Sequence, residues 1–216
     1  MSINPANRRL AVAGPSSEVR WLVERARGRL EPPVRAKSAW HPRSELSFRA
    51  LADLLPFELR PPQIPEEIER VWLNDVWVSR DGMSQAHWGL TDYVWPDDEL
   101  PVLLLAALSA RYRNLCFIIG WEEPDTFEAG SALIWQGRVR RRKARLAEVN
   151  RIRKVIYARH GLSPDGDNGD KDESTADDDL DIALLDYAQR EWDRELERLL
   201  RGLSRRRRLV RSARDQ

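Results

Sequence analysis

The stretch LPVLLLAALSARYRNLCFIIGW, residues 100–121, decides the fold class. Its first half sets Val102, Leu104, Leu105 and Leu108 at helical spacing, which predicts a helix running to about Tyr112. Asp97, Asp98 and Glu99 lie just before it, where acidic groups suit the positive end of a helix. Its second half, Leu115-Cys116-Phe117-Ile118-Ile119 before Gly120, is a continuous apolar run. Such a run reads as a central strand, or one covered on both faces. A helix leading into a buried strand points to a mixed α and β domain.

The alternation continues outward. Arg8 to Gly14 reads as a short strand ending in Gly14-Pro15, and a helix follows from about Ser16. Val19, Leu22, Val23, Ala26 and Leu30 form one face of that helix. Residues 31–45 hold three prolines and read as a loop. Leu46 to Leu55 alternates weakly and is expected as a strand with a helical or turn-like end. A short helix is expected from Pro65, with Ile68, Val71, Trp72 and Val76 inward. Asp81-Gly82 signals a turn. Ala86, Trp88 and Leu90 alternate with polar or small residues, as in a half-buried strand, and Ser131 to Trp135 is expected as the last strand. The order implies an α+β, ferredoxin-like split βαβ sandwich over residues 8–136, with its helices on one face.

Beyond Gly137 the composition changes. Residues 137–160 are expected as a basic amphipathic helix, because 138–154 carry nine cations and a single acid, Glu148. Val139, Leu146, Val149, Ile152 and Ile156 supply its apolar spacing. Residues 161–179 are expected as an acidic disordered linker, since nine acids and one lysine fall between 165 and 181. A C-terminal helix is expected over 180–211, with Leu185, Ala188, Trp192, Leu196, Leu199 and Leu203 on one face. Glu197 and Arg201 form a favourable i, i+4 pair on it, and Arg205 to Arg208 is a four-arginine run near its end.

The chain's 216 residues are 42% hydrophobic and 33% charged, enough for a core with long solvated faces. With 36 basic and 35 acidic residues the net charge is +1, which rules out a uniformly basic protein but not a segregated one. One cysteine excludes a disulfide framework and a cysteine-based zinc site. No stretch approaches the length of an apolar membrane span, so no membrane partner is expected, and a cytoplasmic location is the default expectation.

The centre of the chain resembles a known family. Trp88-Gly89 through Trp95-Pro96, Pro101, Leu105, Leu108-Ser109, Arg111-Tyr112, Leu115, Phe117, Gly120-Trp121-Glu122-Glu123-Pro124, Phe127 and Gly130 carry the likeness. So do Ala11-Val12-Ala13-Gly14-Pro15 and Leu46-Ser47-Phe48, and Trp72 to Trp77 stand in for a Trp-rich centre. This pattern over about 8–136 is similar to the YubB-type ferredoxin-like domain of plasmids and phages. The resemblance implies a fold and a mobile-element setting, not a reaction.

The strongest functional lead is charge. Arg138, Arg140, Arg141, Arg142, Lys143, Arg145, Arg151, Arg153 and Lys154 are candidates to meet a nucleic-acid backbone. The competing reading is a solvated helix face balanced by the 165–181 acids. Trp72, Trp77, Trp88, Trp95 and Trp121 are candidate partner-binding aromatics, with Trp135 a further member of the set, though core packing competes. Glu122, Glu123, Asp125 and Glu128, with Asp92, Asp97 or His87, suggest a carboxylate or metal-dependent enzyme as a less favoured alternative. His41, His87 and His160 share no ligand spacing, Cys116 lies in an apolar run, and no phosphate-cradling loop or nucleophile elbow occurs. No catalytic residue, metal site or cofactor is therefore assigned. The reading is a non-enzymatic interaction protein with a protein or nucleic-acid partner, and with self-association through the C-terminal helix as a further option.

Overall fold

The computed structural model describes residues 8–26, 47–61, 71–78, 82–90, 100–123, 128–164 and 174–212. The strands are β1 (Arg8–Pro15), β2 (Val71–Val78), β3 (Met83–Leu90), β4 (Cys116–Glu123), β5 (Glu128–Trp135) and β6 (Arg138–Lys143). The helices are α1 (Ser16–Arg25), α2 (Phe48–Asp53), α3 (Leu100–Arg111), α4 (Leu146–Arg159), α5 (Ser174–Arg190) and α6 (Asp193–Ser212). The six strands form one antiparallel sheet in the order β2-β3-β1-β4-β5-β6. The first strand therefore lies inside the sheet, with Val12 opposite Ala86 on one side and Phe117 on the other.

Strand alternation divides the core between the two faces of the sheet. Leu10, Val12, Ala86, Trp88, Phe117, Ile119, Ala132 and Ile134 point to one face. There they pack with Val19 and Leu22 of α1, Phe48 and Leu51 of α2, and Leu105 and Leu108 of α3. Ala11, Ala13, Cys116, Ile118 and Leu133 point the other way and pack with Trp192 and Leu196. Ala129 joins that second side to a cluster between α4 and α5, including Val149, Ile156, Tyr157, Leu180 and Leu184.

The expectation of helices on one face is thus corrected: α5 and α6 cover the second face. The apolar run in β4 needs that cover, because its side chains alternate between both cores.

Four local expectations also change. Leu46 to Leu55 holds the helix α2 rather than a strand. Ser47 caps it by accepting the Ala50 N–H at 3.1 Å. The helix expected from Pro65 is replaced, over the described residues, by the strand β2. Val71, Trp72, Val76, Trp77 and Val78 are β-branched or aromatic residues that suit a pleated sheet. The acidic linker expected over 161–179 is helical from Ser174 onward, with Asp177 in the first turn of α5; residues 165–173 lie outside the described residues. The single helix expected over 180–211 is two, α5 and α6, broken at Glu191-Trp192.

The largest correction concerns 137–160, which is the strand β6 followed by the helix α4. Gln136 and Gly137 have φ of 51° and 76°, the paired left-handed residues of a type I′ hairpin turn. That turn returns the chain beside β5 and leaves no room for a helix to begin.

Candidate functional site

Five of the nine basic candidates lie on β6, the outermost strand on its side of the sheet among the described residues. Two contacts hold the hairpin that presents it. The Gly137 N–H donates to Ser109 Oγ at 2.8 Å, and that hydroxyl donates to the Ala106 carbonyl of α3 at 3.0 Å. A Cβ at position 137 would lie 3.1 Å from the Ala110 Cβ, so glycine serves both the turn and the close approach of α3.

Alternation splits the cations of β6 between two faces. Arg138, Arg140 and Arg142 lie opposite Trp135, Leu133 and Ser131, on the side covered by α5 and α6. Val139, Arg141 and Lys143 lie opposite Ile134, Ala132 and Gly130, on the α3 side. Arg140 pairs with Glu195, and Arg142 lies 3.9 Å from Glu191 and 3.8 Å from Glu195. Arg142 also donates to the Glu191 carbonyl and stacks 4.1 Å above the Trp192 ring.

Trp192 is itself fixed. Its Nε1–H donates to Ser131 Oγ at 2.8 Å, and that hydroxyl donates to the Ala188 carbonyl at 2.6 Å. One buried serine thus ties β5 to the junction of α5 and α6.

The remaining predicted cations are divided. Arg151 pairs with Glu148 at 2.9 Å, and Arg153 lies 5.2 Å above the Tyr157 ring. Tyr157 donates to Asp177 at 2.6 Å; burial, and then that hydrogen bond, raise its pKa. Arg138, Arg145 and Lys154 make no ion pair among the described residues. The nine cations therefore form a strand edge running into α4, not one helical face.

The other candidates separate. Trp88 is buried in the core, and Trp121 is half-buried against it. Trp72 and Trp77 occupy β2 register positions opposite Gly89 and Gln85, and Trp95 lies outside the described residues. Trp135 is half-buried, its Nε1–H donating to the Arg113 carbonyl at 3.1 Å. Glu122 is buried opposite Ala129, and Glu123 lies opposite Glu128 in register. Asp92, Asp97, Asp125 and His41 lie outside the described residues. Among the described residues no three histidine, cysteine or acidic side chains are grouped to hold a metal ion.

His160 lies 2.9 Å from Asp179, joining the end of α4 to α5. His87 lines a cleft of about 230 Å3 between the second sheet face and the α5–α6 junction, with Arg9, Gln85, Gln189 and Asp193. At its floor burial pushes the Cys116 thiol up to about 12, which keeps it protonated and unreactive near neutral pH. Desolvation likewise raises the Asp193 carboxyl, opposed by Arg190.

Leu196, Leu199 and Leu200 of α6, with Trp192 just before it, lie against the sheet. No described helix is long and apolar enough to cross a membrane. Sequence reasoning missed Ser131, Glu191, Glu195 and Gly137 as organisers of the site. Only Gln136-Gly137, a hairpin-type dipeptide, carried a readable signal. Comparison with protein-family models, curated proteins and solved structures finds no match to this chain.

Proposed function

We propose that this chain is a non-enzymatic interaction protein whose basic sheet edge, β6 and the start of α4, meets an anionic partner. One observation carries the reading: among the described residues β6 is an outermost strand with five cations in six residues, all but Arg142 exposed. Charged side chains also guard an edge strand against pairing, but a row of one sign this dense makes a local field that attracts an anionic partner.

The order of the first four strands, β2-β3-β1-β4, with α1 following β1 and α3 preceding β4, supports a ferredoxin-like core carrying a two-strand extension. The YubB-type likeness is supported where Ala11 to Pro15 form β1 and lead into α1, and weakened where Ser47-Phe48 open a helix instead of a strand. A mobile-element setting rests on that likeness alone.

The test is binding of the full chain to mixed-sequence DNA, mixed-sequence RNA and an acidic peptide over a salt series. Affinity for at least one of these falls steeply with salt. The variant Arg138→Glu/Arg145→Glu weakens that binding by about tenfold while leaving the melting temperature close to wild type. No binding to any of the three at low salt overturns the reading.

A further inference from the structure

We infer that the outward ridge of α6 is a docking surface for the phosphate backbone of a nucleic-acid duplex, held by a file of arginines. It uses none of the residues of the β6 edge and stands or falls apart from that reading.

Arg194, Arg198, Arg201 and Arg205 stand four, three and four residues apart in α6, the intervals that keep side chains on one face of a helix. All four are exposed. At 1.5 Å per residue the file runs about 16 Å. Arg198, Arg201 and Arg205 each follow a leucine by two residues, about half a helical turn. Of those leucines, Leu196 and Leu199 lie against the sheet and Leu203 is buried. The packing of α6 therefore fixes where the file points: outward, into solvent.

The helix does not need this file for itself. Glu197 pairs with Arg201 at 2.7 Å, an exposed i, i+4 contact. Arg194, Arg198 and Arg205 make no ion pair among the described residues. No acid follows Glu197 in α6, while residues 198–211 hold seven arginines. Arg194 precedes Arg198 by four residues, and Arg201 precedes Arg205 by four. Like charges at that spacing weaken a helix. Cations suit the carboxyl end of a helix, but the effect fades beyond the last turn, and Arg198 lies about four turns before Ser212. The file fits a partner that brings an unbroken row of negative charge.

Every cation from 194 to 211 is arginine, whose planar fork takes two phosphate oxygens at once. One strand of B-DNA offers a phosphate every ~3.4 Å of axis, so the file faces about five of them. A helix that lies on a membrane buries its apolar face in lipid, and in α6 that face is turned to the sheet. Helix and strand grooves for peptides add apolar anchors to their polar contacts, whereas the file holds arginines alone. Gly202, next to Arg201, is exposed with nothing within 4 Å of its would-be Cβ, so a bulky backbone can come close to the helix there.

The test is fluorescence anisotropy of the full chain with short labelled duplexes of mixed-sequence DNA and RNA over a salt series. Arg198→Gln/Arg205→Gln weakens binding of at least one duplex by about tenfold. It also lowers the slope of log affinity against log salt by about two, since each phosphate contact contributes about 0.9. Glu197→Gln, which unmasks the charge of Arg201, acts in the opposite direction, with tighter and more salt-sensitive binding. Both variants change exposed side chains and melt close to wild type. Placed in the Arg138→Glu/Arg145→Glu background, Arg198→Gln/Arg205→Gln still lowers the slope by about two.

Affinity and slope unmoved by Arg198→Gln/Arg205→Gln overturn the inference and leave the reading of the basic edge intact. A poly-glutamate peptide bound as tightly as the duplexes, with the same response to that variant, overturns it in favour of an acidic protein. Vesicles of anionic phospholipid bound in place of the duplexes overturn it in favour of a membrane surface. No binding of either duplex at low salt overturns it, whatever the edge then binds. If Arg198→Gln/Arg205→Gln fails to fold, Glu197→Gln still decides by the sign of its effect.

Discussion

Gly130 shows how much can turn on one absent side chain. A Cβ there would overlap the Trp121 ring and lie 3.0 Å from the Arg142 carbonyl, so the indole occupies the space a side chain would need. Gly130→Ala should cost about 1–3 kcal/mol by overpacking, read from urea unfolding. Gly202, inside α6, has nothing within 4 Å of its would-be Cβ. Gly202→Ala should therefore stabilise by up to about 1 kcal/mol, the opposite sign for the same substitution. Cys116 adds a pH effect. Burial raises its thiol from the usual 9.0 to about 12. The unfolded chain then loses this proton first, and stability falls as pH climbs through that window. Alkaline unfolding curves should be flatter for Cys116→Ala; an unchanged slope would show the thiol to be solvated. The burial of Cys116 was legible from its apolar neighbours. The contact of Trp121 with Gly130 was not, because it joins two strands across a reversal in the chain.

Among the elements, β1, α1, β3, α3, β4 and β5 were legible, since each carries its own periodicity and ends at a turn residue. The basic segment was not. Val139 to Ile156 keeps a rough helical spacing, yet Val139 is 38% exposed and Leu146 is 69% exposed, so neither holds a helix to a core. Charge density in the sequence marked the right residues, while Gln136-Gly137 set their secondary structure. The α5–α6 junction depends on Ser131, which satisfies both Trp192 Nε1–H and the Ala188 carbonyl. Ser131→Ala leaves both groups buried without that partner and should cost about 1–3 kcal/mol. Since Trp192 lies beneath Arg142, the same variant should also alter tryptophan fluorescence. A variant as stable as wild type would mean that water replaces the hydroxyl.

Across the whole molecule, the net charge of +1 conceals a basic edge balanced in part by acids from α5 and α6. Glu191→Gln/Glu195→Gln should unmask the charge of Arg140 and Arg142, although Arg142 keeps its bond to the Glu191 carbonyl and its stack on Trp192, tightening acidic-peptide binding by roughly threefold to tenfold and making it more salt-sensitive. Unchanged affinity would place the binding cations elsewhere. The cover on the second face has another consequence, for synthesis. β1 is made well before α6, yet α6 packs across it and Arg9 pairs with Asp186, 177 residues later. A nascent chain that has reached β6 can order its sheet and first core, while Ala11, Cys116, Ile118 and Leu133 still face water. Until α5 and α6 leave the ribosome, that bare apolar face is open to aggregation or to a chaperone, and the second core forms only once α6 has emerged.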